Sequence, residues 1–223
     1  LTKPPLLTIS RAVRRKNIPS LVEAYGRSEK LKRKTNLILI LGCRDNTNKL
    51  DPQQKEVFQN IFEMIDKYNL YGKVAYPKKH SSEQIPALYR WAASRGGFFV
   101  NPALTEPFGL TLLEASSCGL PIISTNDGGP QEIRSKCENG VLVDVNDINQ
   151  FKSTLEKSIA NNYQWKLWSR NGIEGVHRHF SWSSHVRNYL SILTKLSQTS
   201  IKASSSGIKH SCLKGSSSLI KPH

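Results

Sequence analysis

Two glutamates, Glu106 and Glu114, stand eight positions apart in the string Asn101-Pro102-Ala103-Leu104-Thr105-Glu106-Pro107-Phe108-Gly109-Leu110-Thr111-Leu112-Leu113-Glu114-Ala115. An apolar run, Phe98–Asn101, enters this string, a proline-rich turn breaks it, and a helical pattern begins near Gly109. A helix N-terminus presents unpaired backbone N–H groups and partial positive charge, so an anion can settle there. Gly109 lets the backbone come close to such a ligand. Glu106 lies on the turn, within reach of a hydroxylated group, and Glu114 falls about one and a half helical turns beyond Gly109. Glutamate near a helix start is also favoured by the dipole alone. The weight of the signal is therefore in the whole Glu-Pro-Phe-Gly-Leu-x-x-x-Glu-Ala string at a strand-to-helix junction.

The elements that must position these residues follow from apolar periodicity. Strands are expected at Leu6–Ser10, Leu37–Gly42, Val74–Tyr76, Phe98–Asn101, Pro121–Thr125 and Gly140–Val143. Helical patterns lie between them at Ile18–Lys30, Gln54–Tyr68, Ser82–Ala93 (Ser82 as N-cap) and Leu110–Ser117, and after them at Ile148–Ala160, Trp165–Val176 and Trp182–Leu196. Strands alternating with helices imply a Rossmann-like, doubly wound parallel α/β sheet with ligands at the carboxyl ends of the strands. Residues 1–198 are expected to form this domain, with 199–223 a Ser/Lys-rich disordered tail.

Composition narrows the chemistry. The chain has 223 residues, and 32 Lys and Arg against 17 Asp and Glu give a net charge of +15. Hydrophobic residues at 38% exclude a wholly disordered chain. The longest aliphatic run, Leu37–Leu41, is far short of a membrane span. No leader-like segment opens the chain, and a first residue other than Met suggests a fragment. Cys43, Cys118, Cys137 and Cys212 lack the close spacing of a zinc site or disulfide framework, so reduced thiols and a cytoplasmic location are expected, with no metal site. The basic clusters Arg14–Lys16 and Lys30–Lys34 suit nucleic acid, a phosphorylated ligand or a solvated face, and Lys30–Lys34, between a helical stretch and an apolar strand, reads mostly as a solvated helix end. The missing aromatic-rich basic strand disfavours nucleic acid. The turn after the first strand has no G-x-G-x-x-G, which disfavours a dinucleotide oxidoreductase.

The Glu106–Glu114 block resembles the E-x7-E signature of the retaining, nucleotide-sugar-dependent glycosyltransferases of GT-B fold. Three further stretches resemble that family in order and spacing: Arg11 with Lys16-Asn17, Gly42-Cys43-Arg44-Asp45, and Asn126-Asp127-Gly128-Gly129-Pro130-Gln131-Glu132-Ile133, which resembles its glycine-glycine-proline loop. Between Arg11 and Lys16 this chain has Ala12-Val13-Arg14-Arg15 where the family usually has Pro-Asp-Pro-Lys. Tyr68 to Lys78 and Pro86 to Arg90 resemble the sucrose-phosphate synthase branch in particular.

The resemblance implies a donor-binding half of a two-domain hexosyltransferase in sucrose biosynthesis. It implies transfer of glucose from UDP-glucose to fructose 6-phosphate with retention, giving sucrose 6-phosphate and UDP. The acceptor would be bound by an N-terminal domain absent from this chain, leaving the isolated fragment inactive. Arg11, Lys16 and Glu106 are implied as catalytic. Phe108, Gly109, Leu110, Thr111, Glu114, Gly128, Gly129, Arg44, Tyr76 and Lys78 are implied as substrate-binding. Glu106 would hold glucose hydroxyls, Glu114 ribose hydroxyls, and Arg11 with Lys16 the diphosphate, with no cofactor and no metal required. Sucrose synthase or another hexosyltransferase of this fold, a non-catalytic nucleotide-binding fragment and a basic nucleic-acid-binding module stay open as alternatives.

Overall fold

The structure is a computed structural model that describes residues 3–207 except 43, 45, 47 and 48, with side chains to residue 198. Six strands, β1 (Pro5–Ile9), β2 (Asn36–Ile40), β3 (Val74–Ala75), β4 (Phe98–Asn101), β5 (Ile122–Thr125) and β6 (Gly140–Val143), form one parallel sheet. Their order is β3-β2-β1-β4-β5-β6, the doubly wound arrangement expected from alternating strands and helices. The chain reverses direction across the sheet between β1 and β4, the switch point at which this topology opens a crevice.

Both faces of the sheet are covered, so the strands are mostly apolar, with polar residues such as Thr8, Asn36, Asn101 and Ser124 among them, and the two-residue period sorts the apolar side chains between two cores. Leu6, Leu37, Leu39, Phe98 and Val100 point to one side, where α1 (Ile18–Gly26), α3 (Pro52–Lys67) and α7 (Ile148–Ser158) pack. Leu7, Ile38, Ile40, Phe99 and Ile122 point to the other, against α4 (Ile85–Ser94), α5 (Leu110–Ser117) and α6 (Pro130–Cys137). Helix α8 (Asn162–Phe180) joins them: Trp165 and Trp168 pack on the first core, Val176 and Phe180 on the second.

Several elements differ from the sequence expectation. The stretch Ile18–Lys30 is two helices, α1 and α2 (Glu29–Lys34), separated at Arg27-Ser28. The Ser28 side chain accepts from Leu31 N–H at 3.1 Å and so starts a new helix. At the end of α1, a Cβ on Gly26 would lie 2.5 Å from the Tyr68 ring, so only glycine lets α3 close over that point. The capping residue before α4 is Ser81, not Ser82: its N–H donates to the Gln84 side chain, which starts a short 3-10 turn, Ser82–Gln84. Residues after Gly129, read as a loop, form α6 with Pro130 in its first turn, a position where the missing N–H costs nothing.

The chain divides into two compact units, Leu1–Phe180 and Ser181–His223. In the second, α9 runs from Trp182 to Gly207, into the stretch from 199 expected to be disordered. Propagating an existing helix is cheap, and Ser, Lys and Ala tolerate it until a terminal glycine. The rest of the expected tail, 208–223, lies outside the described residues. Within α9, Trp182, His185 and Tyr189 form a ladder of rings at helical spacing, with centroids 5.8 and 6.4 Å apart. No helix among the described residues is long and apolar enough to cross a membrane.

Candidate functional site

The site is built at the carboxyl end of β4. Asn101 closes the strand, and its Oδ1 accepts from the Ala103 N–H at 3.1 Å, an Asx turn that diverts the chain at Pro102. Its Nδ2 donates to Glu106 Oε2 at 3.1 Å. The same oxygen accepts from Lys16 Nζ at 2.5 Å. Lys16 reaches it from a 3-10 turn, Arg14–Lys16, that follows β1 and is tied to the loop by Leu104 N–H donating to the Arg15 carbonyl at 3.0 Å. The Lys16 and Glu106 side chains are only 15% and 12% exposed. Burial opposes ionisation of Glu106, but hydrogen bonds from Lys16 and Asn101 and the charges of Lys16 and Arg15 outweigh it. The carboxyl is thus held below its ordinary range and stays charged at neutral pH.

Two loops are zipped together here. Glu106 N–H donates to the Asp127 carbonyl at 3.2 Å, and Gly129 N–H donates to the Glu106 carbonyl at 2.9 Å. Thr105 Oγ1 donates to Asp127 Oδ2 at 3.0 Å. A Cβ on Gly128 would lie 2.4 Å from the Glu106 carbonyl oxygen, and one on Gly129 would lie 2.3 Å from that of Phe108. The close approach that requires these glycines is therefore loop against loop.

Beyond Phe108, Gly109 adopts φ 94° and caps α5. It thereby starts α5, whose first turn includes the N–H groups of Leu110 and Thr111. Phe108 and Leu110 are 51% and 63% exposed beside it. One turn further along, the exposed Glu114 carboxylate accepts from the buried Tyr89 hydroxyl at 3.3 Å. Burial, then the Glu114 charge, pushes the Tyr89 phenol well above its ordinary value. Both line a cavity of about 460 Å³ with Ile9, Ile85, Pro86 and Cys118. A mostly apolar wall with one carboxylate at its edge suits a flat ring carrying hydroxyls.

Arg11 stands exposed in the loop after β1, on the same edge of the sheet. Among the described residues, no hydrogen bond or ion pair joins its guanidinium to the Lys16–Glu106 cluster. Arg14 is paired instead with Glu56 of α3.

Arg44, expected from sequence to contact substrate, has its side chain engaged within the protein. It is 8% exposed, donates to the carbonyls of Tyr76 and Pro77 at 2.9 and 3.0 Å, and stacks over Phe58 and Tyr76. Burial lowers its pKa from the ordinary value, with the nearby Tyr76 opposing. Its donors tie the end of β2 to the segment after β3, a structural task. Tyr76 is correspondingly occupied, its ring against Phe62 and Arg44, whereas the Lys78 side chain is exposed and only its carbonyl is engaged, by the Arg44 N–H.

Asn101 and Tyr89 were not picked out as site residues by sequence. An Asn immediately before Pro at a strand end is a turn signal and marks Asn101 locally. Tyr89 carries no such mark, since its helical spacing reads as core. Cys43 and Asp45 of the G-x-R-D stretch lie outside the described residues, as does Cys212; Cys118 and Cys137 are free thiols. Among the described residues, no three His, Cys, Asp or Glu are grouped to hold a metal.

Comparison with known proteins agrees with this architecture. Residues 1–175 match the family described as glycosyl transferases group 1. The chain is 46% identical over 189 residues to sucrose-phosphate synthase 4 of Arabidopsis thaliana and 43% identical over 189 residues to the sucrose-phosphate synthase of Spinacia oleracea. These matches cover 85% of this chain but only 18% of either relative. Among solved structures, a sucrose-phosphate synthase from Thermosynechococcus elongatus superposes with a TM-score of 0.70 at 27% identity, covering 88% of this chain and 46% of that one. Anabaena HepE in complex with UDP shares the fold, with a TM-score of 0.72 at 18% identity over 87% of this chain and 49% of its own. With the family match extending over most of its length, and a doubly wound fold shared with a solved sucrose-phosphate synthase, the chain belongs to the group 1 glycosyl transferases.

Proposed function

We propose that this chain is the donor-binding part of a retaining hexosyltransferase that moves glucose from UDP-glucose to fructose 6-phosphate, giving sucrose 6-phosphate and UDP. The observation that carries the reading is the Lys16–Glu106–Asn101 cluster at the start of α5, beside a cavity edged by Glu114. A cation and a carboxylate next to a helix N-terminus, with a second carboxylate on the same helix, are groups that suit a diphosphate flanked by two sugars. The identity to sucrose-phosphate synthases supports this donor and acceptor, and Anabaena HepE, of the same fold, has been solved with UDP and glucose.

In this reading Lys16, Arg11 and the first turn of α5 offset the diphosphate charge, so no metal ion is required. Backbone groups from Phe108 to Thr111 line its path. Glu106 meets the glucosyl hydroxyls, and Glu114, held by Tyr89, meets the ribose hydroxyls in the 460 Å³ cavity. The bond from glucosyl C1 to the leaving phosphate oxygen breaks while C1 bonds to the acceptor oxygen on the same face. The acceptor proton passes to the phosphate. Glu106, held by Asn101, positions and stabilises charge and does not attack C1. Fructose 6-phosphate would meet the donor from a second domain. The unpaired thiols of Cys118 and Cys137 suit the cytoplasm.

Calorimetric titration of the chain with UDP-glucose, UDP and ADP-glucose tests the reading. Saturable binding of both uridine compounds, with ADP-glucose weaker, is expected. Failure of all three to bind would remove it.

A further inference from the structure

The inference rests on the reading above, in which Glu106 meets the sugar and Lys16 the diphosphate. Both Lys16 and Asn101 donate to one atom, Glu106 Oε2, at 2.5 and 3.1 Å. The Lys16 ammonium is therefore engaged by a carboxylate, and a diphosphate that recruits it must draw it away or share it. Once Lys16 turns, Asn101 is the remaining side-chain donor to Glu106 among the described hydrogen bonds.

Asn101 is built for that task. It is buried, at the end of a central strand whose partner there is Ser124 of β5. Its amide orientation follows from its neighbours: Oδ1 accepts from the Ala103 N–H, and Nδ2 faces the carboxylate. The flipped amide would set N–H against N–H and oxygen against oxygen. We propose that Asn101 is the positioning residue that keeps the Glu106 carboxylate in place when Lys16 turns to the donor diphosphate, so that it governs recognition of the sugar rather than of UDP.

Asn101→Asp is the isosteric probe: it keeps the acceptor for Ala103, removes the donor and adds a like charge beside Glu106. Titration of this variant is expected to show UDP-glucose affinity lowered about tenfold or more, with UDP affinity within about twofold of the parent. The sugar-dependent part of the affinity should also fade at a higher pH than in the parent, because a second carboxylate raises the pKa of Glu106. Unchanged UDP-glucose affinity, or equal losses for UDP and UDP-glucose, would overturn the proposal. Should that variant fail to fold, Asn101→Ser, too short to reach Glu106, is read by the same criteria. Glu106→Gln separates the two levels of the argument. If it lowers the UDP-glucose to UDP affinity ratio while the Asn101 variants do not, the Asn101 proposal alone fails. If it leaves the ratio unchanged, the sugar role of Glu106 fails and the Asn101 proposal with it.

Discussion

At the end of β4 a half-buried ammonium and a buried amide converge on one carboxylate oxygen, and this determines how the site responds to pH and to mutation. Glu106 has its pKa lowered in the folded chain, so the stability it contributes is present above the ordinary carboxylate range and is lost as pH falls through the folded value. Replacing Glu106 by Gln should cost about 1–3 kcal/mol at neutral pH, from weakened charged hydrogen bonds and a Lys16 left without its counter-ion. The gap to the parent should close on acidification, which urea unfolding between pH 7 and pH 3 measures. Lys16→Ala should weaken UDP-glucose binding by at least about tenfold, the scale of one charge-assisted contact, while the thermal melt stays cooperative. Lys16 and Glu106 were identified by motif resemblance, and the fold brings them into contact across the sheet. Arg44 has its side chain turned to the protein's own groups. A cation in a family-like string reads as a ligand group, but its two aromatic neighbours and two carbonyl acceptors become visible only once β2 and β3 are side by side.

The strand-to-helix elements decide which backbone can sit beside the site. Gly128 combines φ 91° with a Cβ position 2.4 Å from the Glu106 carbonyl oxygen, so it is constrained by conformation and by space together. Gly72 has φ 72° but open space around its Cβ position. Gly128→Ala is therefore expected to cost about 2–5 kcal/mol, the sum of left-handed strain and overpacking, whereas Gly72→Ala costs about 1–2 kcal/mol from conformation alone. Denaturant midpoints of the two variants test the difference, and equal shifts would contradict the loop-against-loop account. At this scale the strands and α5 were legible because apolar runs bounded by Gly and Pro are local signals. The split between α1 and α2 was not, since Ser28 reads as a mid-helix residue until its side chain is seen to cap Leu31. Helix α6 was missed because Gly-Gly-Pro looks like a turn, although Pro in a first helical turn is equally compatible with it.

Over the molecule as a whole, part of the basic excess behind the +15 charge lies away from the candidate site. The basic last turn of α2, Lys32, Arg33 and Lys34, leads directly into β2, at the amino end of the sheet, whereas Lys16 lies past the carboxyl end of β1. A five-residue strand separates these ends by roughly 16 Å, beyond the ~8–10 Å over which charge acts at physiological salt. Reversing Arg33 and Lys34 to Glu should accordingly leave UDP-glucose affinity within about twofold of the parent, as titration at 0.15 M salt would show. A loss as large as that for Lys16→Ala would mean that net charge, not the local pair, binds the donor.

The sequence by itself determined the alternation of strands and helices, hence the parallel sheet, its two cores and the sheet edge on which the candidate site lies, because these depend on periodicity and on short-range turn chemistry. Only the tertiary structure decided that Glu106 shares one oxygen between Lys16 and Asn101, that the paired glycines serve contact between loops, and that Arg44 faces inward. Those facts depend on which side chains meet across ninety or fewer intervening residues, and no local pattern in a chain encodes such distances.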